Sequence, residues 1–219
     1  RFLLHTAILE RLCGPLCDAL MAQVGGGEFP APESPLSGHE RLAQLAAANL
    51  FLVPLDDARR WYRYHPLFAD LLRQRLRQER APAYVHALHR RASAWYEQHG
   101  GLEEAVAHAL AAGDLAQVAD IAERAVRANR LDSRLTTLLR WVDRLPEAVR
   151  QARPRLGIYQ AWALFLNGHI ERGRRMLERA GQDLASLSDA PARRELGALL
   201  EAVQATLQGL VYSISGQVD

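Results

Sequence analysis

The sequence predicts a mainly α-helical chain with a single β-hairpin, organised in two parts. Three observations favour this fold class. Apolar residues recur at helical spacing along most of the 219 residues. Two apolar and aromatic runs, residues 50–55 and 61–64, flank the turn Asp56-Asp57-Ala58-Arg59-Arg60, which is the pattern of a β-hairpin. Further along the chain, glycines close several helical segments, as they do between stacked antiparallel helices.

The chain before the hairpin is predicted to hold three short helices. One helical face is apolar over residues 2–9, and a Cys13-Gly-Pro break starts a second helix that runs to Leu20. Residues 24–36 contain three glycines and three prolines, which predicts a loop. Ser37-Gly-His-Glu40 is a capping box, so we expect a third helix from there to about Asn49.

A fourth helix is predicted directly after the hairpin. Pro66 stands at its first position, where the missing N–H costs nothing, and Ala81-Pro82 ends it after about Arg80. Three helices, a hairpin and a helix are the plan of a winged helix. We therefore predict a winged-helix domain at residues 1–80.

Residues 81–219 are predicted to form a tetratricopeptide-like α-helical repeat arm. A glycine followed by an aliphatic and an acidic residue recurs at Gly101-Leu102-Glu103, Gly168-His169-Ile170-Glu171 and Gly216-Gln217-Val218-Asp219. Glycine at these helix ends permits the left-handed turn that reverses the chain. The intervals vary, so the repeat is irregular. Because the last recurrence stops as its helix would begin, we expect an arm truncated at the C-terminus.

Composition excludes several function classes. All 27 basic residues are arginine, so the Gly-Lys-Ser/Thr of a P-loop cannot be formed, and the chain by itself is not expected to be an enzyme. No apolar run approaches a membrane span, and no signal-peptide pattern is present. Two cysteines do not make a disulfide scaffold, which favours the cytoplasm.

No catalytic or metal site emerges from the spacing of reactive residues. Cys13 and Cys17 lie one helical turn apart without further ligands and are predicted to be packed free thiols. His86 and His89 lie among Arg and Ala residues and are predicted to be exposed. The third helix offers only Arg41 and Gln44 for reading bases, so direct DNA binding by this chain is not expected.

Three segments carry a resemblance to a known family: FLLHTAILERLCGPLCDAL, ANLFLVPLDDARRWYRYHPLFADLLRQRL and LHRRASAWYEQHGGLEEAVAHALAAGD. Together they resemble the middle of MalT-type, LuxR-family ATP-dependent transcriptional regulators, bacterial proteins of the STAND class of signal-transduction NTPases. The resemblance is dense over residues 2–114 and extends only to the helix pattern beyond them.

The resemblance implies a role for His65. In STAND proteins a histidine at the end of the winged-helix hairpin, within a Met-His-Asp-like motif, contacts the ADP phosphates and holds the closed state. Tyr64-His65-Pro66 stands at that place, although Tyr and Pro replace Met and Asp. An imidazole donor near a phosphate at a helix N-terminus is chemically reasonable. The alternative is that His65 simply caps the helix that starts at Pro66.

The resemblance also implies partners and cofactors. It implies an NTPase module before residue 1, a LuxR-type DNA-binding domain after residue 219, and an inducer or protein partner on the arm. No cofactor is expected in this segment, whereas ATP or ADP is expected in the full-length protein. The function is then coupling of nucleotide state to the arm, in transcription regulation. The alternatives are a freestanding helical-repeat adaptor for protein partners and, less favoured, a DNA-binding winged-helix factor.

Overall fold

A computed structural model of the protein describes residues 1–22, 36–48, 50–128 and 135–215. In this part of the chain the structure is mainly helical with one antiparallel hairpin, which confirms the predicted fold class of a winged helix followed by a helical arm. The elements are α1 (Phe2–Thr6), α2 (Gly14–Met21), α3 (Gly38–Ala47), β1 (Leu52–Pro54), β2 (Tyr62–Tyr64), α4 (Pro66–Glu79), α5 (Pro82–Gln98), α6 (Leu102–Ala111), α7 (Leu115–Arg127), α8 (Leu135–Val142), α9 (Glu147–Gln151), α10 (Pro154–Leu166), α11 (Ile170–Ala185) and α12 (Ala190–Ser215).

The chain divides into two compact units, Arg1–Asp114 and Leu115–Asp219. The first unit holds α1 to α6 and the hairpin, so the helix pair α5–α6 packs with the winged helix. The sequence-based domain boundary after residue 80 stays a prediction, because a division by contacts does not test where one domain ends and the next begins.

Close packing of α2 against α3 depends on two glycines. A Cβ on Gly38 would lie 2.4 Å from the carbonyl oxygen of Gly14, and one on Gly14 would lie 2.9 Å from the Cβ of His39. The Gly38 N–H donates to Asp18 Oδ1 at 2.6 Å. The predicted capping box is present, since the Ser37 hydroxyl accepts from the Glu40 N–H while the Glu40 carboxylate accepts from the Ser37 N–H.

The hairpin pairs Leu52 with Tyr64, Val53 with Arg63 and Pro54 with Tyr62. Its turn is closed by Asp56, whose carboxylate accepts from the Arg60 and Trp61 N–H groups at 2.8 and 3.1 Å. These bonds stabilise the ionised carboxylate and lower the pKa of Asp56.

Residue Leu12, between α1 and α2, extends this pairing on the other side of β2. Tyr62 and Leu12 exchange two main-chain hydrogen bonds of 2.8 Å each. Tyr62 and Tyr64 are buried, and the Tyr64 hydroxyl lies 2.8 Å from the hydroxyl of Thr6 in α1. The hairpin is therefore anchored to α1 and to the segment that follows it.

Three helices end in the same glycine turn. Gly100, Gly113 and Gly168 have φ values of +85°, +68° and +79°. In each case the N–H of the next residue donates to a carbonyl five residues earlier, which is the Schellman motif. The sequence analysis predicted the first of these turns at Gly101, one residue too late. Gly100 adopts the left-handed turn, and Gly101 is the N-cap of α6. The predicted recurrence at residues 216–219 lies outside the described residues.

The second unit is built around the helix pair α10–α11, with α12 packed on both. A Cβ on Gly173 of α11 would lie 2.3 Å from the buried ring of Phe165 on α10, so this crossing requires a glycine. Its core is aliphatic and aromatic, comprising Ile158, Ala161, Phe165, Leu177, Ala180, Leu184, Leu196, Val203 and Leu207.

None of the helices within the described part of the chain is both long and apolar enough to cross a membrane.

Gly173→Ala is expected to destabilise the protein by about 1–2 kcal/mol. Overpacking against Phe165 costs about 1–3 kcal/mol, while the better helix propensity of alanine recovers up to about 1 kcal/mol. Gly197→Ala in α12 is the matched control, because its added Cβ meets no atom within 4 Å beyond the local backbone of its own helix. Urea unfolding should show Gly197→Ala at or above the stability of the unchanged protein. Equal stability of the two variants would contradict this packing.

Candidate functional site

His65 lies between the end of β2 and the start of α4. Its backbone N–H donates to the Phe51 carbonyl at 2.7 Å, and its carbonyl accepts from the N–H groups of Phe68 and Ala69 at 3.0 and 2.9 Å. The imidazole is exposed and makes no hydrogen bond that caps α4. His65 is thus the N-cap residue of α4, through its main chain and without a cap hydrogen bond from its side chain. The main chain fixes the residue while the ring faces outward.

Exposed apolar side chains accompany His65 on the hairpin and on the first turns of α4. Phe51 is 58% exposed, Leu67 76% and Leu71 59%. We call His65, Phe51, Leu67 and Leu71 the hairpin–α4 surface. Phe51 stacks on Phe68 at a ring distance of 5.1 Å and has a φ of +54°. A left-handed backbone at a bulky residue costs energy, so surrounding contacts must hold it.

The other end of β2 contacts the first helix of the arm. Trp61 packs edge-on against Trp95 of α5 at 6.4 Å, and the guanidinium of Arg11 lies 4.7 Å from the Trp61 ring centre. Trp95 in turn stacks on His99 at 4.0 Å. We call Trp61, Arg11 and Trp95 the wing–arm joint. It links the hairpin to α5 through two half-buried aromatic rings.

Three side-chain hydrogen bonds reinforce this joint. Arg91 of α5 donates to the Leu20 carbonyl at 3.0 Å, and Arg73 of α4 donates to the Ala7 carbonyl at 2.8 Å. The hydroxyl of Tyr84 on α5 lies 2.7 Å from Nε2 of His5 on α1. These bonds hold α4 against the residue that follows α1, and α5 against α1 and α2.

The prediction that His86 and His89 are exposed was wrong, since both are half-buried. Nδ1 of His89 lies 2.8 Å from Nδ1 of His108 on α6. Burial, together with the charge of the other imidazole, lowers the pKa of His108 to about 4. Burial and the nearby His86 and Arg73 lower the pKa of His89 to about 4 as well. The spacing His89, Ala92, Tyr96 on one helical face was the signal that could have placed His89 inside.

Cys13 and Cys17 are buried free thiols, as predicted. Burial raises the pKa of both, so neither is a reactive thiolate. Within the described ranges, no group of three or more His, Cys, Asp or Glu side chains is positioned to hold a metal ion.

Helix α3 presents little that could read bases. Arg41 donates through Nε to the Leu36 carbonyl at 3.1 Å, and its guanidinium lies 5.4 Å from the ring centre of Phe2. The exposed side chains along the helix are His39, Glu40, Ala43, Gln44 and Ala47. The absence of direct DNA binding by this chain stays a prediction.

The winged-helix part of the chain is similar to a known family. Residues 1–85, less than half of the chain, match the family model of the MalT winged helix domain.

The chain is also similar to larger bacterial proteins. It is 36% identical over 203 residues to the serine/threonine-protein kinase PknK of Mycobacterium tuberculosis strain H37Rv, and equally similar to PknK of Mycobacterium bovis. The match covers 89% of this chain and 17% of each kinase. The chain thus corresponds to a small part of the length of these relatives.

The buried His5 predicts a pH dependence of stability. Burial, and secondarily Arg1, lowers the pKa of His5 from 6.5 to about 4. Between these values the unfolded chain binds more protons than the folded one, so stability is complete above pH 6.5 and falls as the pH approaches 4. The free energy of unfolding should fall between pH 7 and pH 5, and this fall should be smaller by about 1–2 kcal/mol in His5→Gln. Denaturant unfolding at both pH values measures it, and an unchanged loss in the variant would contradict the assignment.

Proposed function

We propose that the chain is the regulatory segment of a bacterial signal-responsive transcriptional activator of the LuxR family. In this proposal an NTPase module of the STAND class contacts the winged helix, and the winged helix couples its nucleotide state to a helical sensor arm. The observation that carries the proposal is the hairpin–α4 surface, where the hairpin and the first turns of α4 carry an exposed imidazole at a helix N-terminus and three exposed apolar side chains.

The chemistry of His65 suits a phosphate. The N-terminus of α4 carries the positive end of the helix dipole, and the uncommitted imidazole adds a hydrogen-bond donor beside it. ADP or ATP bound by the NTPase module is therefore the cofactor we assign to the full-length protein. This segment is assigned no cofactor and no catalytic residue of its own.

The apolar side chains suit the module that carries the nucleotide. Phe51, Leu67 and Leu71 are each more than half exposed, and large exposed apolar groups close together are typical of interaction sites. Burial of this surface against the NTPase module in the closed state would place His65 beside the nucleotide.

The route to the arm begins at the same strand. His65 and Trp61 lie at the two ends of β2, and Trp61 contacts Trp95 of α5. A displacement of the hairpin–α4 surface would then act on the wing–arm joint. We assign the arm that begins with α5 to an inducer or a protein partner, and promoter binding to a separate domain of the full-length protein in the cytoplasm.

The kinase relatives favour a second candidate. Since 89% of this chain matches proteins named as serine/threonine kinases, the same regulatory segment could control a kinase output instead of transcription. A freestanding adaptor is less favoured, because the chain matches only 17% of the length of these relatives.

His65→Ala in the full-length protein is expected to weaken ADP binding about tenfold or more. The change removes a charge-assisted hydrogen bond worth about 1.5–3 kcal/mol from the closed state alone, which also favours the active state. Because the side chain makes no cap bond, the melting temperature should stay unchanged. ADP affinity by calorimetry and inducer-independent output are the measurements.

His169→Ala is the matched control. His169 is also an exposed N-cap residue without a side-chain cap bond, at the start of α11. Its substitution should leave ADP affinity unchanged. Unchanged ADP affinity in His65→Ala would contradict the nucleotide-sensing role of His65.

A further inference from the structure

The helix pair α5–α6 contains two imidazoles that converge on one point. Nδ1 of His89 and Nδ1 of His108 lie 2.8 Å apart, with ring centres at 5.1 Å and ring planes inclined by 39°. The Tyr96 ring stacks on His108 at 5.6 Å with an angle of 13°, which orients that imidazole. The two nitrogens come from different helices, so their approach is a feature of the packing.

We propose that His89 and His108 form a two-histidine site for a divalent late first-row transition metal ion, with Zn²⁺ as the defining example. Imidazole nitrogen is a ligand that such ions prefer. With metal–nitrogen bonds of about 2.0–2.1 Å, two nitrogens of one coordination shell lie about 2.9–3.4 Å apart. The observed separation therefore needs to open by only a few tenths of an ångström.

Metal binding would replace the hydrogen that the two Nδ1 atoms share, without loss of a proton from the pair. In the metal-free pair one imidazole carries its hydrogen on Nδ1 and donates it to Nδ1 of the other. When the ion enters, that hydrogen moves to Nε2 of the same ring, and both Nδ1 lone pairs bind the metal. Both rings are neutral ligands near pH 7, because burial lowers the pKa of each to about 4.

The surroundings can complete the coordination shell. His89 and His108 line a cavity of about 240 Å³ together with Glu10, Arg11 and Glu104. This volume is smaller than the roughly 300–1,000 Å³ of typical ligand pockets. Glu104 lies one helical turn before His108 on the same helix. As the described side chains stand, no third ligand is in place. Water, and Glu104 after a change of rotamer, would occupy the other positions.

Several charged groups surround the pair. The positive charges of Arg11 and of Arg73 on α4 disfavour a further cation, whereas the carboxylates of Glu10 and Glu104 favour one. Bound metal would clamp α5 to α6 at the beginning of the arm. This inference does not depend on the proposed function.

Titration of the full chain with ZnCl₂ in chelator-treated buffer tests the proposal. Calorimetry should show one ion per chain, and the melting temperature should rise with Zn²⁺ because the ion binds the folded state. His89→Asn and His108→Asn should each weaken binding about tenfold or more. His169→Asn, at an exposed histidine of the second unit, should leave it unchanged.

Two results would overturn the proposal. One is the absence of both binding heat and a thermal shift in the unchanged chain with Zn²⁺ in large excess. The other is undiminished affinity in the His89→Asn/His108→Asn double variant, which would place the ion elsewhere, for instance at Cys13 and Cys17. Circular dichroism of each variant without metal shows that the fold is retained, so that lost affinity reports on the ligands.

Discussion

The arrangement of the first unit depends on the main-chain pairing of Tyr62 with Leu12. Two hydrogen bonds of 2.8 Å fix β2 against the segment between α1 and α2. Because side chains alternate along a strand, this register turns Tyr62 and Tyr64 into the core and leaves Arg63 outside. A slip of one residue would reverse all three. The same register determines where Trp61 and His65 lie, at the two ends of the strand.

The helix pair α5–α6 is fastened to this anchored hairpin. Trp95 contacts Trp61, while Arg91 and Tyr84 bind groups on the first two helical segments. These contacts are numerous enough for the pair to belong to the same compact unit as the winged helix. The first two helices of the arm are thus structurally continuous with the winged helix.

Local signals in the sequence were sufficient for the elements themselves. The turn around Asp56, the capping box at Ser37 and Pro66 at the first position of α4 each act within a few residues, and each was predicted correctly. The glycine turn at Gly100 was predicted one residue too late, because either of the two successive glycines could end the helix.

Contacts between distant residues could not be predicted in this way. His89 and His108 are 19 residues apart on different helices, and their neighbours in sequence are arginines and alanines typical of an exposed face. The contact of Trp61 with Trp95 likewise depends on how the hairpin packs. The role of His65 came from family resemblance, while the structure added that its ring is exposed and does not cap α4.

Native-state hydrogen exchange on the full chain tests most directly whether the hairpin and α5 form one cooperative body. The account predicts that the amides of Tyr62 in β2 and of Leu88 and Ala92 in α5 exchange through the same opening, with equal free energies. Trp95→Ala should lower these free energies together. Exchange of the α5 amides through a separate opening of lower free energy, with the Tyr62 amide unaffected by Trp95→Ala, would contradict it.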